Sequence, residues 1–178
     1  IDGGLSAWGY NLYSQLGDGT FTTRNTPVKI NLPPVLYASA GRRHSLAVGI
    51  DGGLSAWGDN QYGQLGDGTT TQRITQIKIN LPPVKYVITK RFHTLAVGVD
   101  GGLSAWGYNL YGQLGDGSTT QRNSPIKINL PPVTNVIAGE YHTLTVGVDG
   151  GLSAWGYNLY GQLGDGTTTD KHTPIKIL

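Results

Sequence analysis

An all-β fold is predicted for this chain by three observations: a strict internal period, strand-length apolar segments separated by Gly-rich turns, and no window with helical spacing of apolar residues. The period is the strongest of the three. Asp-Gly-Gly-Leu-Ser-Ala-Trp-Gly begins at Asp2, Asp51, Asp100 and Asp149, each 49 positions after the last. The 178 residues divide into three full repeats (1–49, 50–98 and 99–147) and a partial fourth (148–178). No composition shift marks a linker, so residues 1–178 are read as one array.

Each repeat reads as four short strands. Leu5–Trp8 forms the first. After a Gly-rich stretch comes Pro27–Ile30, whose proline is expected to start the strand. A third follows Asn-Leu-Pro-Pro, around Val35–Ala40, and the fourth is His44–Val48. Gly-Ile-Asp-Gly-Gly then leads into the next repeat as a tight hairpin, with Gly supplying positive φ. The fourth strand does not alternate between polar and apolar residues, so both its faces are expected to be covered. Four-stranded antiparallel sheets of this kind, recurring about every 50 residues, fit the blades of a β-propeller. Trp8, Trp57, Trp106 and Trp155 are expected to fill the space between neighbouring blades. A β-helix fits less well, since its rungs are much shorter than the period.

Composition restricts function. Gly is abundant at 28 residues, charged residues make up only 13%, and the formal net charge is +2. That charge does not favour nucleic-acid binding in the absence of a concentrated patch. Without cysteine there is no disulfide, thiol nucleophile or thiolate metal site. No apolar run approaches a membrane span. Ile1-Asp2-Gly3-Gly4 does not read as a signal peptide and looks like the middle of a structural unit.

Leu103–Gly117 (Leu-Ser-Ala-Trp-Gly-Tyr-Asn-Leu-Tyr-Gly-Gln-Leu-Gly-Asp-Gly), Pro125 and Ala138–Leu144 (Ala-Gly-Glu-Tyr-His-Thr-Leu) together closely resemble the regulator-of-chromosome-condensation repeat. The resemblance recurs four times. It implies a propeller, usually of seven blades, and roles such as nucleotide exchange on a small GTPase or inhibition of a β-lactamase. No partner-specific residues carry over from those roles. The near-identical, cysteine-free repeats look most like bacterial members, which points to a secreted or surface location. Two departures stand out. Ser14 replaces the Gly of positions 63, 112 and 161, and the second repeat has Thr89-Lys90 for Ala-Gly and Gln76 for Pro, which alters the expected loop geometry there.

The blade phase leaves an incomplete ring: three whole blades and an N-terminal half-blade of residues 1–30. An open end exposes strand edges and a blade face. The expectation is therefore either a larger parent propeller or self-association, two copies supplying about seven blades' worth of chain. The two leftover halves would be of the same type.

Candidate sites divide into frame and variation. His44, His93 and His142 recur at one strand-start position and read as structural side chains bonded to neighbouring backbone, not metal ligands. His172, which occurs once, reads as a surface loop residue. Gln-Leu-Gly-Asp-Gly lacks the ending of a phosphate loop and reads as a turn. Ser6 and its copies have no paired base, and Glu140 and Tyr141 are isolated, so catalysis is not expected. No metal or cofactor is expected.

Sequence variation gathers in the loop before each histidine and in the segment Phe21–Asn25 with its equivalents. In the first of these, Arg42, Arg43, Lys90 and Arg91 form a candidate basic patch towards an acidic protein. Phe92 and Tyr141 are candidate aromatic anchors, with Glu140 beside them. The expected function is a non-enzymatic interaction scaffold. The alternatives are a self-assembling structural fragment or engineered half-propeller, and an exchange-factor-like or inhibitor propeller.

Overall fold

The computed structural model describes residues 3–177; the expectations resting on Ile1 and Asp2 lie outside them. Fourteen strands and no helix are found among the described residues. β1 (Leu5–Gly9) and β2 (Arg24–Ile30) form a two-stranded sheet. Three four-stranded antiparallel sheets follow, each in sequential order. The first contains β3 (Val35–Ala40), β4 (His44–Gly49), β5 (Leu54–Gly58) and β6 (Arg73–Ile79). The second contains β7 (Val84–Lys90), β8 (His93–Gly98), β9 (Leu103–Gly107) and β10 (Arg122–Lys127). The third contains β11 (Val133–Ala138), β12 (His142–Gly147), β13 (Leu152–Gly156) and β14 (Lys171–Lys176). The sheets are thus three whole propeller blades and the outer half of another, in an unclosed arc.

The chemistry of the connections explains the meander. Gly52 takes φ +77° in the turn between β4 and β5, where Gly49 N–H donates to Gly53 O at 2.9 Å and Asp51 Oδ1 caps Gly53 N–H. A side chain at Gly52 would also strike Pro83, at 2.9 Å from its Cβ. Within the blade the register shifts between Val35 and Tyr37 where β3 meets β4, is regular between β4 and β5, and shifts again between Ala56 and Gly58 where β5 meets β6. The corresponding shift in the half-blade falls between Ala7 and Gly9. Pro27 therefore lies inside β2 and does not start it. An irregular outer-edge strand tolerates the missing N–H.

β3 and β7, and then β7 and β11, approach one another, so the first strands converge on the inner side of the arc. Between blades the core is continuous: Leu46, Val48, Leu54 and Ala56 of one blade pack with Val84, Val87, Ala96 and Trp106 of the next. A second cluster joins Leu95, Val97 and Leu103 to Val133, Val136 and Trp155. Each buried indole removes roughly 150–250 Å² from water, worth about 4–6 kcal/mol as an upper bound.

Trp8 departs from the expected packing. Trp57, Trp106 and Trp155 are at most 2% exposed, whereas Trp8 is 61% exposed. The cover for each indole comes from the preceding repeat: Trp57, Trp106 and Trp155 donate Nε1–H to the carbonyls of Gln15, Gln64 and Gln113 at 2.9, 3.0 and 2.9 Å. Trp8 has no such segment beside it among the described residues. Identical Leu-Ser-Ala-Trp-Gly strands consequently differ in burial, β5 and β9 being largely buried and β1 alternating between half-buried and exposed.

The histidines are structural in a different way from that expected. His44 is fully buried, and its Nε2 lies 3.3 Å from Thr94 Oγ1 of the next blade, not from backbone. Its Nδ1 and both ring nitrogens of His93 have no hydrogen-bond partner among the described residues. Burial favours the neutral ring and lowers their pKa, to about 3 for His44 and about 4 for His93, with further lowering from the next histidine along. The rings of His44 and His142 pack on Gly41 and Gly139, where a Cβ would come within 2.3 Å and 2.1 Å of ring Cε1. The second blade lacks this glycine. There β7 extends to Lys90, which pairs with His93, and Arg91 makes the turn at φ 26°.

Candidate interaction face

One face of the arc is built by two turns of each repeat: the loop before the histidine, and the long turn between the Trp strand and the outer strand. The second turn is clamped by a buried asparagine. Asn109 Nδ2 donates to Asp116 Oδ1, Ser118 O and Thr120 O at 3.0–3.1 Å, and its Oδ1 accepts from Leu114 N–H at 3.0 Å. Asn11, Asn60 and Asn158 anchor their own copies of the turn in the same way.

The aspartate of each turn is then paired. Asp18, Asp67 and Asp116 meet Arg24, Arg73 and Arg122, and Asp165 meets Lys171. Burial pushes the first three carboxyls up, but hydrogen bonds from Thr20, Thr69 or Ser118 and from the arginine outweigh it and leave each below the usual range. Asp165 is lowered chiefly by the Thr167 backbone N–H. Gln-Leu-Gly-Asp-Gly forms part of this turn, its aspartate engaged by the preceding asparagine and the following arginine or lysine.

The clamped turns hold aromatic rings, tilted or edge to face, in a belt that crosses the blades. Phe92 lies 4.9 Å from Tyr62, and Tyr62 lies 5.0 Å from Tyr108. Tyr108 lies 6.1 Å from Tyr141, Tyr141 4.9 Å from Tyr111, Tyr111 4.8 Å from Tyr157, and Tyr157 6.1 Å from Tyr160. Two guanidinium groups join it: Arg43 sits 4.0 Å from the Tyr13 centroid and 5.8 Å from Phe92, and Arg91 sits 4.9 Å from Tyr141. Burial and then the neighbouring phenols Tyr111, Tyr141 and Tyr62 raise the Tyr108 pKa, keeping it protonated.

The residues singled out from sequence do meet on this face, in altered roles. Phe92 is only 8% exposed; it sinks between Tyr62 and Tyr108 beside Arg43, and so is a floor for the belt and not an exposed anchor. Tyr141 is half-buried within the belt. Arg91 is not a free cation, because Nη1 lies 2.9 Å from Glu140 Oε2. Arg42 and Lys90 are exposed and, with Gly41, Arg91 and Glu140, line a cleft of about 270 Å³ on the inner side.

Sequence reading missed Tyr13, Tyr62, Tyr108, Tyr111 and Tyr157. Their signal was the recurrence of tyrosine on either side of the buried asparagine, absorbed there into the frame. No group of three or more His, Asp or Glu arranged to hold a metal occurs among the described residues.

The regulator of chromosome condensation (RCC1) repeat model matches residues 2–48, 100–146 and 149–178, and a second model of the same repeat matches 38–64. No curated protein sequence matches. Among solved structures, human WBSCR16 is 24% identical with a TM-score of 0.89, covering 99% of this chain and 49% of its own. Prp20p from Saccharomyces cerevisiae, described with its binding properties to Gsp1p and histones, is 24% identical with a TM-score of 0.87, covering 97% of this chain and 46% of its own. A structure of Kap60 bound to yeast RCC1 (Prp20) matches at 25% identity and a TM-score of 0.85, covering 97% of this chain and 44% of that one. The chain thus spans about half the length of these structures. It belongs to the regulator of chromosome condensation (RCC1) repeat family.

Proposed function

We propose that the chain is a non-enzymatic protein-interaction scaffold that engages a partner through the aromatic and arginine belt, with Arg42 and Lys90 directed to acidic side chains. The observation that carries this reading is the continuity of the belt from Phe92 to Tyr160 across successive blades. Tyrosine supplies a large contact area at little conformational cost, and tyrosine and arginine are enriched among the residues that dominate the energetics of protein interfaces. Leu110, Leu159 and Tyr160 project as exposed apolar groups beside it. Gsp1p is named with Prp20p, whose fold is shared, and it is a first candidate for binding.

The test is affinity capture with the immobilised chain, followed by titration of any captured protein against variants. Arg42→Ala with Lys90→Ala should weaken binding and flatten its salt dependence, and Tyr160→Ala should weaken it by about tenfold. A partner that is unaffected by all three and instead lost on Lys85→Ala, in β7 away from the belt, places binding elsewhere. Exchange activity is assayed separately as accelerated nucleotide release from Gsp1p.

A further inference from the structure

The second repeat departs from the others just before its histidine, with Thr89-Lys90 where the first and third have Ala40-Gly41 and Ala138-Gly139. Both replacements act at the junction between the first two whole blades. Thr89 is buried, and its N–H donates to Ser39 Oγ of the adjacent inner strand at 3.1 Å, with the two hydroxyls 3.2 Å apart. Ile88 and Ile137 stand in place of Ser39 in the later repeats, so this tie between inner strands belongs to one junction. It fixes β3 and β7 to each other immediately before the loops that carry Arg42 and Lys90.

Lys90 puts an ammonium group where the other blades have glycine, and it extends β7 by one pair, to His93. Arg91 then makes the turn at φ 26°, a conformation that costs free energy for any residue but glycine. Arg91 also reaches forward to the third blade, where Nη1 donates to Glu140 Oε2 at 2.9 Å.

Arg42, Arg91 and Glu140 occupy the same place in successive repeats. Across the junction between blades two and three, Arg91 therefore faces a carboxylate. By the same relation Arg42 faces Arg91 across the junction between blades one and two, with Lys90 beside it. Arg42 and Lys90 are exposed and have no ion pair among the described residues. The four charged groups, with Ala40 and Gly41, line a cleft of about 270 Å³. Three cations against one carboxylate leave a surplus of two positive charges. The lining comes wholly from the three whole blades, so a further repeat at either end would extend the arc and leave the cleft between its present neighbours.

Volume and charge together select the occupant. Sites that enclose a whole small molecule run to roughly 300–1,000 Å³, so this cleft takes a single group carried on something larger. A carboxylate brings one negative charge, and so does each phosphodiester of a nucleic acid. A phosphate monoester brings about 1.5–2 at neutral pH, which matches the surplus. It also presents three oxygens to guanidinium groups whose donors bind oxygens in pairs.

We propose that this cleft binds a phosphate monoester on a side chain of a partner protein, held by Arg42, Lys90 and Arg91, with Glu140 competing for Arg91. That the phosphate arrives on a protein rests on the scaffold function proposed above; that the cleft takes a phosphate monoester does not.

The test is fluorescence anisotropy of the 178-residue chain, at low ionic strength, with a labelled glycine–alanine peptide carrying one phosphoserine. The same peptide with serine or glutamate at that position is titrated beside it. The phosphoserine peptide should bind at least about tenfold more tightly than either. Arg42→Ala and Lys90→Ala should each weaken it by about fivefold or more. Lys85→Ala, an exposed lysine of β7 outside the cleft, should leave it unchanged. Glu140→Gln should tighten binding by about threefold or more, because it frees Arg91 and adds to the surplus charge. Damage to the fold does not produce such a gain, and circular dichroism checks that every variant is folded.

Equal binding of the three peptides, binding indifferent to Arg42→Ala and Lys90→Ala, or weaker binding in Glu140→Gln would each overturn the inference. Inorganic phosphate, titrated as a competitor, should be the weaker ligand; a free anion that binds as tightly as the peptide would overturn the partner-borne source. Phosphopeptide binding with no protein captured counts against the scaffold function alone. A partner captured through the belt, with no phosphopeptide binding, counts against the cleft alone.

Discussion

The Trp106 indole donates its Nε1–H to the carbonyl oxygen of Gln64 at 3.0 Å, and Thr94 Oγ1 donates to that same oxygen at 2.8 Å. One carbonyl of the long turn therefore ties down both the Trp strand and the histidine strand of the following blade. Position 106 is thus a joint between sheets as well as a packing site. Trp106→Ala should cost about 3–5 kcal/mol, through lost burial and the cavity left behind. Trp8→Ala, at the same place in the repeat, should cost the isolated monomer less than about 0.5 kcal/mol. Urea unfolding at low protein concentration measures both, and equal losses would contradict the assignment of the joint.

The long turn owes its shape to its asparagine. Asn109→Ala removes the acceptor for Leu114 N–H and the donors to three oxygens in a buried setting, each loss worth about 1 kcal/mol. The expected destabilisation is about 2–4 kcal/mol, with loosening of the Tyr108 and Tyr111 rings that flank it. Aromatic proton line shapes, together with the unfolding midpoint, report both effects. Asn109→Asp restores the acceptor alone and should recover only part of the loss.

How much of this was visible beforehand follows from what repeats and what does not. The period, the four strands and the inter-blade tryptophans are readable because each position recurs with one environment. Trp8 breaks that rule: its chemistry is that of Trp57, but among the described residues no turn lies beside it, and it is 61% exposed. Phe92 misled for a related reason. A variable aromatic in a loop resembles an exposed anchor until Tyr62, Tyr108 and Arg43 are seen to enclose it. The tyrosine belt escaped because recurrence had been equated with scaffold, although its residues recur and also face outwards. Pro27 was misplaced because the register shift beside Gly9 is a property of the strand pair and not of β2 alone.

The glycine before the histidine loop is a close-approach position in blades one and three. In Gly139→Ala the new methyl would sit 2.1 Å from His142 Cε1, so the ring or the turn must move. Overpacking of this kind costs about 1–3 kcal/mol. Reversing the natural departure, Lys90→Gly should not restore a glycine-type turn around His93 by itself, because β7 there pairs one residue further and Arg91 carries the positive φ. Thermal unfolding of the two variants, with histidine ring chemical shifts, separates the cases.

Acid should destabilise the fold in two stages. His44 and His93 are held neutral by burial, with pKa values of about 3 and about 4 against an ordinary 6.5. Between those values the unfolded chain binds protons that the folded chain does not, so stability rises with pH and falls on acidification. The fall begins near pH 6.5 and continues to about pH 4 for His93 and about pH 3 for His44, at up to about 1.4 kcal/mol per pH unit for each ring. Half-buried His142, also lowered by burial, adds in the same direction. Below about pH 4 the second stage begins. Asp18, Asp67 and Asp116, whose folded pKa lies under 3.8, then lose the stabilisation they contribute above it. Chemical unfolding at intervals from pH 7.5 to 3.5 should show a slope close to zero above pH 7 and a steep one beneath 6. His93→Gln, which removes one titrating ring, should reduce that slope by about a third to a half. A stability profile that is flat from pH 6.5 to 4.5 in the parent chain would rule out neutral burial of these histidines.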